Sequence, residues 1–174
     1  MTNKRYGFRP AVSSDEAFLR RVYAGTREEA LSLTGWDDAA KEAFVAMQYE
    51  AQRRSYAAAY GQASFDVVLV DDEPAGRLYV ARDDAEIRIV DIALLPEFRG
   101  AGVGTAILHD LMSEGAAAGK PVTLHVERFN PAVDLYRRLG FTVVAEGDVH
   151  LLLRYDSTMT GRSIRVGSGR TAAE

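Results

Sequence analysis

The amino-acid sequence predicts an α/β (α+β) fold in which a mixed, mostly antiparallel sheet is flanked by helices. Apolar residues recur at helical spacing in the N-terminal part, and strand-like runs bounded by turns follow from Phe65. One of these strands leads through a glycine turn directly into a helix. With 174 residues, 47% of them hydrophobic, the chain has the size and composition of one globular domain.

The N-terminal part is predicted to hold a short strand and two helices. The strand covers residues 6–9, and polar residues at 13–16 can cap the first helix. Asp37 or Asp38 can cap the second helix, which ends at Gly61. The apolar face of the first helix is formed by Phe18, Leu19, Val22 and Tyr23.

The second half of the chain has the pattern of strands joined by turns. Residues 65–70 and 75–81 form a predicted hairpin around a turn at 71–74, and a third strand covers 86–95. A helix then begins at Gly102, so that strand, glycine turn and helix follow one another without a gap. The remaining predicted elements are a strand over 121–127, a short helix over 131–139 and two antiparallel strands over 141–145 and 149–155.

Composition excludes several classes of protein. The net charge of −4 gives no overall attraction to nucleic acid, which is therefore not an expected partner. No apolar run approaches the roughly 20 residues that span a bilayer, and the first residues lack the apolar core of a secretory signal, so a cytoplasmic protein without membrane contact is expected. The chain has no cysteine and three scattered histidines, which predicts neither a thiolate nucleophile nor a metal site.

The C-terminal segment differs in composition from the rest. Residues 157–174 are locally basic and rich in glycine and serine. The sequence therefore predicts one domain over residues 1–156, followed by a tail.

The glycine turn is the central feature of the sequence. Gly100, Gly102 and Gly104 stand at every second position, which lets the backbone turn tightly and approach a ligand without a Cβ in between. Because a helix begins here, its unpaired amides and the positive end of its dipole face the same space, and Arg99 adds a full charge. This arrangement favours a phosphate or a pyrophosphate.

Spacing excludes two other glycine motifs. A dinucleotide-binding G-x-G-x-x-G motif would need glycine where Thr105 or Ile107 stands. A nucleotide-binding G-x-x-x-x-G-K-[ST] loop fails because the Gly-Lys pair at 119–120 is followed by Pro121.

Two ordered motifs resemble those of the GNAT (general N-acetyltransferase) superfamily. Arg99, Gly102 and Gly104 match R-x-x-G-x-G/A, and residues 130–141 match N-x-x-x-x-x-Y-x-x-x-G-F, with Tyr136 at the tyrosine. The resemblance covers residues 86–155. It implies a sheet of six to seven strands that is splayed between two central parallel strands, leaving a wedge for the cofactor acetyl-CoA.

The resemblance also implies which residues hold the cofactor. The backbone of Ile92 and Leu94 is expected to pair with the pantetheine arm, the Asn130 side chain to hold a cofactor amide, and the glycine turn to bind the phosphates. The expected contacts are Ile92, Ala93, Leu94, Arg99, Gly100, Ala101, Gly102, Val103, Gly104, Thr105, Asn130 and Tyr136.

Tyr136 matches the general acid of the family, the phenol that protonates the departing thiolate; a tyrosine on an amphipathic helix can instead be a packing residue. For the base, His125 stands where the ribosomal-protein acetyltransferase branch carries a carboxylate, and Asp91 is its rival. Glu86 and Glu127 are weaker candidates. A hydrogen-bonded core histidine and a buried structural carboxylate are the alternative interpretations of His125 and Asp91.

The resulting functional hypothesis is an N-acetyltransferase that moves an acetyl group from acetyl-CoA to a primary amine by direct attack in a ternary complex. The acceptor is a small molecule or a protein amine, and the protein is a monomer or a homodimer. The alternative is a sensor or interaction module that binds CoA without turnover. His109 and His150 have no motif context, and aromatic residues on the second helix are interpreted as core.

Overall fold

The computed structural model describes residues 5–158; the predicted tail from residue 159 onward lies outside the described residues. This part of the chain contains four α-helices and seven strands. The helices are α1 (Glu16–Ser32), α2 (Asp38–Ala59), α3 (Val103–Ala118) and α4 (Ala132–Arg138). The strands are β1 (Tyr6–Pro10), β2 (Ser64–Val70), β3 (Glu73–Arg82), β4 (Ile87–Leu94), β5 (Val122–Glu127), β6 (Thr142–Glu146) and β7 (His150–Tyr155).

The strands form one sheet in the order β1-β2-β3-β4-β5-β7-β6. Neighbouring strands are antiparallel except β4 and β5, which are parallel. The mixed, mostly antiparallel sheet flanked by helices is therefore confirmed, with seven strands and one central parallel pair.

Helices cover both faces of the sheet. Adjacent strand residues point to opposite faces, so Val67 packs with the core cluster that includes α1 and α2, whereas Val68 packs with the cluster that includes α3. Both valines are fully buried. Among residues 5–158, none of the helices is both long and apolar enough to cross a membrane.

The hairpin between β2 and β3 is tighter than the sequence predicts. Asp71 and Asp72 have φ values of 50° and 70°, as a two-residue turn with a left-handed backbone requires. Pro74 consequently lies within β3, opposite Leu69, at an irregularity in the strand register. A proline fits there because its missing N–H does not break a regular ladder.

Glycines allow a close contact between two strands and form both ends of helix α3. At Gly76 of β3, an added Cβ would lie 2.2 Å from the carbonyl oxygen of Ala93 and 2.8 Å from Cδ2 of Leu94, so β3 and β4 approach each other closely here. Helix α3 begins after Gly102 and ends before Gly119, whose φ values are 82° and 66°. A left-handed backbone is accessible to glycine at little cost.

Candidate active site

The parallel strands β4 and β5 are paired only over their first three residues. The register runs from Ile87 opposite Val122 to Ile89 opposite Leu124. Both strands continue beyond this point, β4 to Leu94 and β5 to Glu127, without a partner in each other. The sheet therefore opens into a wedge between their C-terminal ends.

A bulge in β4 marks where the wedge opens. Tyr79 of β3 is opposite Asp91, but the next residue, Val80, is opposite Ile89, so Val90 is an extra residue on β4. A bulge of this kind bends the strand and increases its twist. The bend directs the second half of β4 away from β5.

A cavity of about 220 Å³ lies in this wedge. It brings together Tyr136, His125 and Asp91, the three candidate catalytic residues, with Asn130 and the β4 segment from Ile89 to Ala93. The cavity is mainly polar. Its polar lining is Thr26, Arg27, Gln52, Tyr56, Arg77, Asp91, His125, Glu127, Asn130, Tyr136 and His150.

The free edge of β4 presents backbone groups to the wedge. The amide of Leu95 donates to the carbonyl oxygen of Ala75 at 2.8 Å, which directs the backbone groups of Leu95 and, by alternation, Ala93 toward β3. The backbone groups of Ile92 and Leu94 therefore point the other way, into the wedge.

The glycine turn leaves a row of amides unpaired. Among residues 5–158, no acceptor binds the backbone N–H groups of residues 100–105, and the first bonded amide is that of Ala106, which donates to Gly102 at 2.9 Å. Gly100 and Gly102 have φ values of 75° and 82°, and an added Cβ would meet nothing within 4 Å at either position. The turn is an exposed cradle at the N-terminus of a 16-residue helix, and it fits a pyrophosphate.

Arg99 connects this cradle to the rest of the site. Its Nε donates to the carbonyl oxygen of Leu94 at 2.8 Å, and its Nη2 donates to that of Gly25 in α1 at 3.3 Å. The side chain remains exposed. Arg99 thus joins the glycine turn, the end of β4 and helix α1, while its charge lies beside the cradle.

Tyr136 is a buried phenol on α4 that faces the cavity. The residue is 7% exposed, and no hydrogen bond joins its hydroxyl to another residue in the described part of the chain. Burial raises the pKa of Tyr136 to about 12, and the negative charge of Asp91 acts in the same direction. The hydroxyl therefore keeps its proton at neutral pH and has it available to donate.

Asp91 lies in a buried hydrogen-bond network. Its Oδ1 accepts from Nε of Arg77 at 3.2 Å, and its Oδ2 accepts from Nη2 of Arg77 and from the hydroxyl of Tyr56, both at 2.9 Å. Nη2 of Arg77 also donates to Gln52 at 2.8 Å. Both oxygens of the carboxylate are thus occupied, and burial together with Asp91 raises the pKa of Tyr56.

Sequence reasoning missed Arg77, Gln52 and Tyr56. The sequence does contain an indication of the role of Arg77. It is a charged residue in the middle of an apolar strand, so it needs a partner of opposite charge, and Asp91 is a charged residue in a similar position in the next strand. The sequence favours a core role for the aromatic residues of α2, and Tyr56 does contact the ring of Tyr79, but its hydroxyl donates to Asp91 in the cavity.

His125 is held by a second network. Nη1 of Arg88 lies 2.9 Å from Nδ1 of His125, and Arg88 donates from Nε and Nη2 to Oε1 of Glu86 at 2.9 and 2.7 Å. Thr123 donates to Oε2 of Glu86 at 2.9 Å. Partial burial lowers the pKa of His125, and the charge of Arg88 lowers it further, so the imidazole is neutral at pH 7.

Glu127 and His150 complete the cavity on its β5–β7 side. Oε1 of Glu127 accepts from Nη1 of Arg27 at 3.0 Å, and His150 is the residue opposite Glu127 in the strand register. Asn130 uses Oδ1 to accept from the amide of Ala132 at 2.9 Å, which caps the start of α4. His150 was not expected here; its place opposite a cavity residue depends on strand register, which the sequence does not specify.

Comparison with known proteins identifies the family. The model of the acetyltransferase (GNAT) family matches residues 29–141, which is more than half of the chain. Mycothiol acetyltransferase from Nocardiopsis dassonvillei is 30% identical over 137 residues, which cover 79% of this chain and 39% of that protein. The chain therefore spans about two fifths of the length of this relative.

Solved structures share the fold. The PaiA N-acetyltransferase from Thermoplasma acidophilum, determined in complex with coenzyme A, has a TM-score of 0.65 at 14% identity over 87% of this chain and 99% of that one. An acetyltransferase from Thermus thermophilus has a TM-score of 0.64 at 16% identity over 90% and 99%. With its splayed parallel strands, its glycine turn and its match to the family model, the chain belongs to the acetyltransferase (GNAT) family.

Proposed function

We propose that this acetyltransferase moves an acetyl group from acetyl-CoA to a primary amine by direct attack while both substrates are bound. The observation that carries the proposal is the wedge between β4 and β5, where the hydroxyl of Tyr136 faces the same cavity as the free edge of β4. Aminolysis of a thioester requires a proton donor for the departing sulfur and groups that position the thioester. The Tyr136 hydroxyl can serve as the first and the strand edge as the second.

The residues present fit the cofactor. Bound acetyl-CoA supplies the acetyl group as a thioester. The amides of residues 100–105, which have no acceptor among residues 5–158, would hold its pyrophosphate, and the outward-facing backbone of Ile92 and Leu94 would pair with the pantetheine arm as an added strand does. Asn130 still has its side-chain NH₂ group available for a cofactor carbonyl, because only Oδ1 is used in capping α4.

Tyr136 acts as the general acid in this proposal. Its hydroxyl keeps its proton at neutral pH, because burial and the charge of Asp91 both disfavour the phenolate. Donation of this proton to the departing sulfur avoids expulsion of a bare anion. Asp91 contributes as a fixed negative charge that is held in place by Arg77 and Tyr56.

The amine must lose a proton before it attacks. Asp91 is poorly placed to accept it directly, since both of its oxygens are engaged. His125 is neutral and faces the cavity, but one of its two ring nitrogens is engaged by Arg88. The remaining candidate in the wall of the cavity is Glu127, two residues after His125 on β5.

The acceptor is a primary amine on a small molecule or a protein. The N. dassonvillei relative acts, by its name, in mycothiol chemistry, but this chain spans only 39% of that protein. The cavity holds two ion pairs, Arg77 with Asp91 and Arg27 with Glu127, and so offers both charge types to a polar acceptor.

The experiment that tests the proposal is thiol release from acetyl-CoA across a panel of amines. The panel contains an amino sugar, a polyamine, amino acids, a lysine peptide and a peptide with a free N-terminus. We expect release that depends on the amine, with N-acetylated product identified by mass spectrometry. CoA binding with no release for any amine would contradict the proposal and support a binding module instead.

A further inference from the structure

The side chain of His125 is fixed by an ordered chain of contacts. Thr123 holds one oxygen of Glu86, Glu86 holds two nitrogens of Arg88, and Arg88 contacts Nδ1 of His125. The side chains of Glu86 and Arg88 are only 24% and 18% exposed. An ion pair this enclosed holds the guanidinium in one place beside the imidazole.

The direction of the Arg88–His125 hydrogen bond follows from chemistry. A guanidinium has five N–H donors, no acceptor, and keeps its charge at any pH at which the protein folds. Nδ1 of His125, 2.9 Å away, must therefore be the acceptor and carry no proton. A neutral imidazole has one N–H, so the proton is on Nε2.

We propose that Arg88 is a positioning residue that fixes His125 as a neutral imidazole with its proton on Nε2, so that His125 donates a hydrogen bond to an oxygen of the acceptor substrate and Glu127 removes the proton from its amine. This inference rests on the proposed acetyl transfer. An imidazole in this state has no free lone pair facing the cavity, because its one lone pair on nitrogen is taken by Arg88.

Glu127 can offer an atom that accepts a proton from the substrate, whereas His125 in this state cannot. Alternation along β5 places the two residues on the same face of the strand, and both line the cavity. Arg27 occupies Oε1 of Glu127, but Oε2 has no hydrogen-bond partner within residues 5–158. When the ammonium of the acceptor arrives, an N–H bond breaks, Oε2 gains the proton, and the nitrogen keeps the electron pair with which it attacks the thioester.

Other charged groups around His125 act on its protonation. Arg88 and His150 oppose a positive charge on the ring, whereas Glu86 favours one. Arg27 and Glu127 form an ion pair on the same cavity wall. Arg88 is the one of these groups that bonds directly to the imidazole, and its effect on His125 is therefore separable by substitution.

The first test is independent of activity. In protein labelled with ¹⁵N-histidine, two-bond ¹H–¹⁵N correlations report which ring nitrogen carries the proton, and His125→Gln identifies the signals of this residue. We expect the Nε2–H tautomer at pH 7, and in Arg88→Met we expect mixed tautomers with a raised pKa. Arg82→Met is the matched control, since Arg82 also binds a carboxylate, that of Glu114, through two nitrogens. This substitution should leave the signals of His125 unchanged. A proton on Nδ1, or a charged ring at pH 7 in the unsubstituted protein, would overturn the proposal.

The second test distinguishes a hydrogen-bond donor at His125 from a general base at Glu127. A glutamine amide can donate where Nε2–H does but cannot take up a proton at neutral pH, so kcat/KM should fall less in His125→Gln than in His125→Ala. In Glu127→Gln we expect kcat/KM to fall by about 100-fold or more, the usual contribution of a general base. A His125→Gln enzyme as impaired as His125→Ala, or a fully active Glu127→Gln enzyme, would overturn the assignment. If no amine is acetylated at all, the proposed function fails, while the NMR experiment still decides the state of His125.

Discussion

Tyr136 shows how the neighbours of a residue set its protonation in this site. Its pKa is raised to about 12 by burial first and by the charge of Asp91 second. Asp91 can lie close to a buried phenol because Arg77, whose side chain is 2% exposed, neutralises it. The sequence identifies Tyr136 and Asp91 through motif position and polarity in an apolar strand. It does not identify Arg77 as the partner, because which residues of β3 and β4 lie close together depends on the bulge at Val90.

Removal of the Tyr136 hydroxyl should affect turnover rather than binding. In Tyr136→Phe we expect kcat to fall by about 100-fold or more, as for loss of a general acid, with the CoA dissociation constant unchanged. The matched control is Tyr155→Phe, since Tyr155 packs against the same Phe141 ring as Tyr136 but does not line the cavity. Normal turnover in Tyr136→Phe would remove this residue as the acid.

Loss of the Asp91 charge should destabilise the protein. Asp91→Asn leaves the Arg77 guanidinium buried without a counter-charge, which costs about 3 kcal/mol or more of unfolding free energy. Asp72→Asn is the control, because its ion pair with Arg5 is exposed and contributes less than about 1 kcal/mol. Urea unfolding at pH 7 measures both. Equal stability of the two variants would show that the Arg77–Asp91 pair has no structural role.

At the scale of elements, the wedge depends on how β3, β4 and β5 fit together. The sequence predicts these strands from apolar runs and turns, and it predicts α3 from the glycines and the apolar spacing that follows. The register between strands is set by contacts distant in sequence. The family resemblance implies that the central strands splay, but the position of the bulge at Val90 and the pairing of β4 with β5 over only Ile87 to Ile89 are given by the structure.

Gly76 tests the fit between β3 and β4. In Gly76→Ala the new methyl group would lie 2.2 Å from the carbonyl oxygen of Ala93, and backbone must move to relieve the overlap. We expect a loss of about 2 kcal/mol or more of unfolding free energy, together with weaker CoA binding because the free edge of β4 shifts. Gly7→Ala in β1, where an added Cβ meets nothing within 4 Å, should lose neither. Unchanged stability in Gly76→Ala would mean that β3 and β4 are not closely fitted at this position.

For the whole molecule, the fold class can be predicted from local sequence patterns, whereas the full set of residues around the cavity cannot. Helical and strand periodicities, together with two glycine-containing motifs, are enough to predict a mixed sheet covered by helices. The cavity combines side chains from α1, α2, α4 and four strands, for example Arg27, Tyr56, Arg77 and His150. Only the three-dimensional arrangement brings such distant positions together; the sequence points to Tyr136, Asp91 and His125, but not to most of the residues that surround them.

We expect the amides at the start of α3 to hold the phosphates of coenzyme A. A ligand that binds only the folded protein stabilises the whole molecule, by about 2.7 kcal/mol at a concentration of 100 times Kd. Gly102 and Gly119 stand at opposite ends of α3, both have positive φ values, and neither has an atom within 4 Å of an added Cβ. Valine at either position strains the backbone in the same way, but only at Gly102 does it enter the cradle.

Thermal unfolding with and without CoA tests this claim most directly. We expect CoA to raise the melting temperature of the unsubstituted protein and of Gly119→Val by similar amounts, and to leave that of Gly102→Val unchanged. A Gly102→Val protein that folds and is stabilised by CoA as strongly as Gly119→Val would contradict the account.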